Sequence, residues 1–145
     1  MLTAGVFALR STCPLGNSAV ISKEGRIVAI GYNGAPTGQP HCTDEGCDLD
    51  ELGHCKRTVH DVFNAIAMAA KYGISTNGAD LHCTTAPCPN CCKLIINAGI
   101  KRVVYGNPTS KGCHTDYGDE GLNLLKAAGV ELIQFDKGEI ISGLQ

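Results

Sequence analysis

The sequence contains no tryptophan, and aromatic residues make up only 5% of its 145 residues. Proteins that bind single-stranded nucleic acids stack the bases on aromatic side chains, so this composition argues against a polynucleotide partner. The charge argues in the same direction, because 12 basic and 14 acidic residues give a net charge of −2 with no basic block. We therefore expect a small-molecule ligand and no bound RNA or DNA.

The sequence also lacks long apolar runs. No stretch approaches the roughly 20 consecutive apolar residues that a membrane-spanning helix needs. Residues 1–10 have no basic segment before their short apolar run, so they are not typical of a secretory signal. We expect a cytoplasmic protein that does not enter a membrane and forms one domain over residues 1–145.

Cysteine, in contrast, is abundant, with nine residues in the chain. This share lies below that of a disulfide-linked scaffold but exceeds what a hydrophobic core requires. In a reducing compartment, clustered cysteine and histidine side chains bind metal ions more often than they form disulfides. Metal binding is therefore the first hypothesis for this chain.

The periodicity of the apolar residues predicts alternating helices and strands. The predicted helices cover residues 2–10, 58–73, 88–98 and 120–128. The predicted strands cover residues 19–22, 26–30, 79–84, 102–105 and 130–135. A hairpin around Lys23-Glu24-Gly25 followed by strands separated by helices is typical of an α/β fold with three layers, in which helices flank a mixed five-stranded sheet. Residues 31–56 form a long loop rich in Gly, Pro, Cys and His, and loops of this length are usually functional.

The clearest candidate metal site combines His60 with Cys88 and Cys91 of the segment Pro-Cys-Pro-Asn-Cys. We expect His60 in the first turn of one helix and both cysteines at the start of another, where the unpaired N–H groups favour thiolates. Two thiolates and one imidazole form a zinc shell whose fourth position stays open for water, as in catalytic sites.

Two other interpretations of these residues remain open at this point. A Cys-x-x-Cys segment also occurs as the redox pair of thioredoxin-like proteins, although there it follows the first strand of the domain. The second alternative is that His60 is a satisfied residue at a helix N-terminus and not a metal ligand.

Longer stretches around these residues extend the pattern along most of the chain. They are residues 10–13, 31–36, 40–47, 53–66, 84–105 and 121–131. In this order they resemble the zinc-dependent deoxycytidylate (dCMP) deaminases, which belong to the cytidine deaminase-like superfamily.

The resemblance implies a cytidine deaminase-like fold and hydrolytic deamination of a cytosine deoxynucleotide, dCMP to dUMP plus ammonia. It also implies that His60, Cys88 and Cys91 hold the catalytic zinc and that Asn33 borders the bound nucleotide. Relatives are commonly homo-oligomers, often hexamers, with dCTP and Mg²⁺ as activator and dTTP as inhibitor. We expect the same classes of ligand and assembly here.

The resemblance breaks at the proton carrier. Nucleobase deaminases use a Glu in His-x-Glu as general acid and base, whereas this chain reads His60-Asp61-Val62. Valine cannot exchange a proton, so the catalytic residue is unassigned. Asp61 is the candidate substitute, but one residue along a helix turns a side chain by about 100°, which favours a role at the helix N-terminus. Three explanations are open: an engineered inactive variant, a natural nucleotide-binding or regulatory homologue without turnover, and an enzyme with another proton carrier.

A second break follows Cys13. Relatives commonly carry basic residues there, whereas residues 14–20 contain none. This difference removes a candidate contact to a phosphate or to a neighbouring subunit.

The other cysteines predict a second, structural zinc that would order the long loop. Cys13, Cys42 and Cys55 are the expected ligands, with Cys47 as the fourth ahead of His54 or His41. The alternative is that some of these thiols are free. Three further cysteines lack ligand spacing and are expected to be small buried apolar side chains; they are Cys83, Cys92 and Cys113.

Overall fold

The computed structural model describes residues 1–51, 53–106 and 119–135. Helices and strands alternate along the chain, as the apolar periodicity predicts. The helices are α1 (Leu2–Ala8), α2 (Cys42–Glu45), α3 (Asp61–Lys71), α4 (Pro89–Asn97) and α5 (Glu120–Ala127). The strands are β1 (Ser18–Lys23), β2 (Arg26–Tyr32), β3 (Asp80–Cys83), β4 (Arg102–Gly106) and β5 (Glu131–Phe135). Within the described ranges, no helix has the length and apolar character needed to cross a membrane.

The five strands form one mixed sheet in the order β2-β1-β3-β4-β5. Strand β1 is antiparallel to both of its neighbours, whereas β3, β4 and β5 are parallel to one another. Parallel neighbours need crossover connections, and α4 and α5 lie between consecutive parallel strands in the chain. The prediction of a mixed five-stranded sheet flanked by helices is confirmed.

Helices cover the two faces of the sheet. On β1, Ala19 and Ile21 belong to the main apolar core together with residues of α3 and α4. Side chains alternate along a strand, so Ser18 points to the opposite face, where its hydroxyl donates a hydrogen bond to the carbonyl oxygen of Ala4 in α1. Helix α1 therefore lies across the sheet from α3 and α4, which gives three layers.

The first two strands form the predicted hairpin. Its turn consists of Glu24 and Gly25, which both have positive φ angles, 52° and 74°. Two residues of this kind between antiparallel strands match the right-handed twist of the hairpin.

The edge of the sheet that positions the candidate metal site is formed by the ends of β2 and β3 and the start of β1. Helix α4 begins at this edge a few residues after Cys83, the last residue of β3. The first turn of α3 lies in direct contact with β2. A Cβ atom on Gly31 would lie 2.1 Å from the carbonyl oxygen of Asp61 and 2.2 Å from the backbone nitrogen of Ala65. Only glycine permits this approach.

The predicted start of the second helix was wrong, and a short helix in the long loop was not predicted. Helix α3 begins at Asp61, so residues 58–60 are not helical and His60 is the N-cap residue, with extended backbone angles of −66° and 149°. The reason is that Val59, which fits the helical period, pairs with Gly34 in an isolated antiparallel bridge. The loop of residues 31–56 also contains the short helix α2 and a second isolated bridge between Leu49 and Cys55.

Candidate metal centre

His60, Cys88 and Cys91 come together, as the sequence predicts, although they lie on different elements. Their ligand atoms are all within 4.8 Å of one another. The Nδ1 atom of His60 lies 3.4 Å from the Sγ atom of Cys88 and 3.4 Å from that of Cys91. With zinc–sulfur bonds of about 2.3 Å and zinc–nitrogen bonds of about 2.0 Å, a tetrahedral ion separates such atoms by about 3.5 Å. The donor set and its spacing therefore fit zinc.

Both cysteines are held by the start of α4. Cys88 is its N-cap residue, with extended backbone angles of −68° and 164°, and Pro89 occupies the first helical position. Proline there has the φ angle that a helix needs and no N–H that would lack a partner. Cys91 lies in the same first turn, so both Sγ atoms are near the positive end of the helix dipole, which stabilises thiolates.

The electrostatics of the cluster favour one thiolate. A hydrogen bond with Cys91, and further ones from His60 and the Cys91 backbone, lower the pKa of Cys88 to about 4 although burial opposes the shift. The hydrogen bond with Cys88 raises the pKa of Cys91 and that of His60. Protons on Cys91 and His60 would therefore be displaced when a metal binds.

The position next to the cluster that would hold a proton carrier is apolar. Val62 is 1% exposed and belongs to the main core. Asp61, the first residue of α3, is 8% exposed. Burial raises the pKa of Asp61 to about 6, against the lowering effects of the Val62 backbone N–H and of His60. The chain thus places a buried carboxyl group beside His60, one residue before the expected position.

Asn33 lies directly after β2 and touches the same turn. Its Oδ1 atom accepts a hydrogen bond of 2.8 Å from the backbone N–H of Asp61. The side chain is 1% exposed, and its Nδ2 atom has no hydrogen-bond partner within the described ranges. This buried donor without a partner among the described residues belongs to a side chain that is bonded to Asp61, the neighbour of His60, and it is suited to a bound ligand.

A second group of thiols lies in the long loop. The Sγ atoms of Cys42, Cys47 and Cys55 are all within 4.8 Å of one another, and those of Cys42 and Cys55 are 3.6 Å apart. A tetrahedral zinc ion separates two sulfur ligands by about 3.8 Å, so this group also has suitable spacing. Cys42 begins α2, while Cys55 is in the bridge with Leu49.

The other residues considered for that second site lie outside this group of three. Cys13 is buried, at 4% exposure, but is not part of it. The Nδ1 atom of His41 is 2.8 Å from the Thr12 hydroxyl, and His54 contacts the carboxylate of Asp50.

Within the loop group the thiols differ in acidity. Burial and a hydrogen bond with Cys42 raise the pKa of Cys47 to about 12. Against the effect of burial, hydrogen bonds from the side chain and backbone of Thr58 lower the pKa of Cys55 to about 7.

Cys83 and Cys92 belong to the main apolar core, at 1% and 0% exposure, which confirms the prediction for both. Burial raises the pKa of each thiol, to about 12 for Cys92. Cys113, for which the same was predicted, lies outside the described residues.

The comparison with protein-family models assigns the chain. The model described as the cytidine and deoxycytidylate deaminase zinc-binding region matches residues 8–107. The chain belongs to this family. The match includes His60, Cys88 and Cys91, and a thioredoxin-like interpretation of Cys88 and Cys91 is thereby set aside.

Individual proteins that resemble this chain support the same family assignment. The ComE operon protein 2 of Bacillus subtilis is 42% identical over 146 residues, covering 100% of this chain and 74% of that protein. The deoxycytidylate deaminase of enterobacteria phage T4 is 31% identical over 164 residues, covering 86% of this chain and 81% of that protein. The crystal structure of the dCMP deaminase from cyanophage S-TIM5 in complex with dCMP and dUMP matches with a TM-score of 0.79 and 34% identity over 92% of each chain.

One residue beside the candidate metal cluster had no role in the prediction. Asn64, in the second turn of α3, donates hydrogen bonds from its Nδ2 atom to the carbonyl oxygens of Tyr32 and Val59. Its sequence signal was present, because an Asn four residues after the histidine falls within the segment that resembles dCMP deaminases. The pattern does not tell which backbone groups such a side chain reaches.

Proposed function

We propose that this protein is a zinc-dependent hydrolase that converts dCMP and water to dUMP and ammonia. The observation that carries the proposal is the cluster of His60, Cys88 and Cys91, whose spacing fits a zinc ion with one open position. The likeness to a cyanophage dCMP deaminase solved with dCMP and dUMP supports the choice of substrate.

In this proposal the residues have separate roles. His60, Cys88 and Cys91 hold the ion, which when bound supplies the Lewis acidity that makes water a nucleophile at neutral pH. Asn33 donates its Nδ2–H, which has no partner among the described residues, to the nucleotide. The reaction also moves protons from the attacking water to the pyrimidine ring and the leaving amine. Val62 cannot carry them, and Asp61 is the buried carboxyl group that lies beside His60.

The second candidate function is a homologue that binds a cytosine deoxynucleotide for regulation and does not turn it over. The observation that favours it is the burial of Val62 in the apolar core at the position where the family pattern has Glu. Loss of a positioned general acid and base typically reduces the rate by ~10²–10⁴-fold.

Three forms of the protein distinguish the two functions: the native chain, Val62→Glu, and Val62→Gln as the matched control that has the shape of Glu without its charge. Release of ammonia and dUMP from dCMP is measured on samples of equal zinc content, and dCMP binding is measured by calorimetry. Turnover by the native chain supports deamination with another proton carrier. Binding by all three forms, with turnover by Val62→Glu alone, supports the regulatory homologue. Zinc-loaded protein that neither binds nor converts dCMP contradicts both.

The loop cysteines extend the proposal to a second, structural zinc held by Cys42, Cys47 and Cys55, with Cys13, His41 or His54 as the fourth ligand. The 3.6 Å separation of the Cys42 and Cys55 sulfur atoms supports it. Zinc content should be two ions per chain in the native protein and one in Cys47→Ser. The Cys13→Ser variant decides whether the buried Cys13 thiol moves to complete the shell, because it would then also lose one ion.

The resemblance to dCMP deaminases further supports a homo-oligomer. We propose a hexamer, with dCTP and Mg²⁺ as effector. Light scattering coupled to size-exclusion chromatography gives the mass with and without dCTP and Mg²⁺. A monomer under both conditions, with dCMP kinetics that do not respond to dCTP, would remove this part of the proposal.

A further inference from the structure

The backbone on both sides of His60 is tied to the end of β2. On one side, Val59 and Gly34 exchange two backbone hydrogen bonds of 3.2 and 2.9 Å. On the other side, the N–H of Asp61 donates to the Oδ1 atom of Asn33. A metal ligand at an N-cap position has no helical hydrogen bond from its own N–H, so these ties decide where its side chain points.

Asn64 joins the same two segments from within α3. Its Nδ2 atom lies 2.8 Å from the carbonyl oxygen of Tyr32, the last residue of β2, and 3.4 Å from that of Val59. Its own backbone N–H donates to the carbonyl oxygen of His60 at 3.0 Å. One residue therefore contacts the strand end, the residue before His60 and His60 itself.

The chemistry of this bridge requires an amide. An Nδ2 group carries two hydrogen atoms and can serve two carbonyl oxygens at once, whereas a carboxylate of the same shape only accepts hydrogen bonds. Aspartate at this position would set a negative oxygen against two carbonyl oxygens, and alanine would remove both bonds.

We propose that Asn64 is a positioning residue for the metal centre: by bridging the carbonyl oxygens of Tyr32 and Val59, it fixes the N-cap geometry that brings the Nδ1 atom of His60 to the two cysteines. This inference rests on the proposed zinc centre but not on turnover or on the nucleotide. Groups that orient metal ligands typically affect metal affinity by about 10–100-fold when they are removed.

The chain offers a matched control in α5. Asn123 is the fourth residue of α5, as Asn64 is of α3, and its backbone N–H likewise donates to the N-cap carbonyl oxygen, that of Asp119, at 2.8 Å. Its side chain is exposed. Substitutions at position 123 therefore alter helix propensity in the same way without touching the bridge.

The test compares Asn64→Asp and Asn64→Ala with Asn123→Asp and Asn123→Ala. Zinc is titrated from the protein with a chromogenic chelator at equilibrium, and the phase of the titration that belongs to the His60 centre is identified as the one absent from Cys91→Ser. The spectrum of the cobalt-substituted protein reports the geometry of the same centre. We expect zinc affinity in that phase to fall at least 10-fold in both Asn64 variants, with a changed cobalt spectrum, and to stay within about 2-fold in both Asn123 variants.

The outcomes separate this inference from the proposed function. A native protein with no metal phase that depends on Cys91 would contradict the zinc centre itself. If that phase exists but Asn64 variants keep native affinity and spectrum, only the role of Asn64 is overturned. Variants that are unfolded by circular dichroism would also overturn it, since Asn64 would then be needed for folding in general and not for placing His60.

Discussion

Gly31 of β2 and Asp61 of α3 approach each other so closely that no larger residue fits at position 31. A Cβ atom there would come within 2.1 Å of the Asp61 carbonyl oxygen. The contact fixes the distance between the sheet and the N-terminal end of α3, where His60 is the N-cap residue. At this point β2 and the first turn of α3 are in contact through backbone atoms, beside the side-chain bonds of Asn33 and Asn64.

We therefore predict that Gly31→Ala destabilises the protein and weakens zinc binding together. The added methyl group must push α3 away from β2, and overpacking of this kind typically costs about 1–3 kcal/mol. Urea unfolding gives the loss in free energy of unfolding, and chelator competition gives the loss in zinc affinity. Gly5→Ala in α1 is the control, because a Cβ atom at Gly5 meets no atom within 4 Å. Equal stability of the two variants would contradict the close contact.

Adjacent cysteines in α4 should behave differently. We predict that Cys91→Ser loses one zinc ion per chain, because its Sγ atom is one of the three clustered donors. Cys92→Ala should keep the full zinc content, since the Cys92 side chain is fully buried in the apolar core and lies outside the cluster. Inductively coupled plasma mass spectrometry on both purified variants measures this. Zinc loss from Cys92→Ala at unchanged folding would mean that the ligands were assigned incorrectly.

Removal of the metal should lower thermal stability. A ligand that binds only the folded state stabilises it by about 2.7 kcal/mol when its free concentration is 100 times its dissociation constant. We expect the melting temperature to fall after chelation and to return when zinc is added back. The shift should be smaller in Cys91→Ser, which lacks one centre. A melting temperature that does not respond to chelation, in a protein shown to have lost its zinc, would argue against any structural contribution of the ion.

His82 of β3 should make stability depend on pH. Burial, with contributions from the N-terminal ammonium and Arg102 and against the effect of Asp80, lowers the pKa of His82. In the unfolded chain His82 binds a proton as the pH falls below ~6.5, whereas in the folded chain it binds that proton only at lower pH. Stability should therefore be lost as pH falls below that value.

The control variant is His82→Gln, which can still contact the Ser22 hydroxyl that lies 3.0 Å from the His82 Nε2 atom. Denaturation of the chelated proteins at pH 7 and pH 5 should show a smaller loss for His82→Gln than for the native chain. The same loss in both would assign the acid sensitivity to other groups.

The sequence was sufficient for the parts of the structure that follow from local pattern. The periodicity of apolar residues predicts the strands and helices, and the order of those elements restricts the sheet to few arrangements. The cluster of His60, Cys88 and Cys91 is predictable because helix starts after β2 and β3 meet at one edge of the sheet.

The remainder depends on contacts between residues that are distant in sequence. His60 is an N-cap because Val59 pairs with Gly34, a bridge that helical periodicity cannot reveal. Cys42 and Cys55 lie together without Cys13 because of the path that the long loop takes, and the amino-acid composition of a loop does not predict its path. The reach of the Asn64 amide to Tyr32 likewise needs the folded geometry.

The order of the proposed ligands along the chain has a consequence for biosynthesis. Residues 42, 47 and 55 precede His60, whereas Cys88 and Cys91 follow it on the far side of α3 and β3. During translation the loop group is complete before the first ligand of the other cluster leaves the ribosome. The nascent chain can therefore fill the proposed loop site first, while the cluster at the sheet edge is completed only when β3 and α4 have been synthesised.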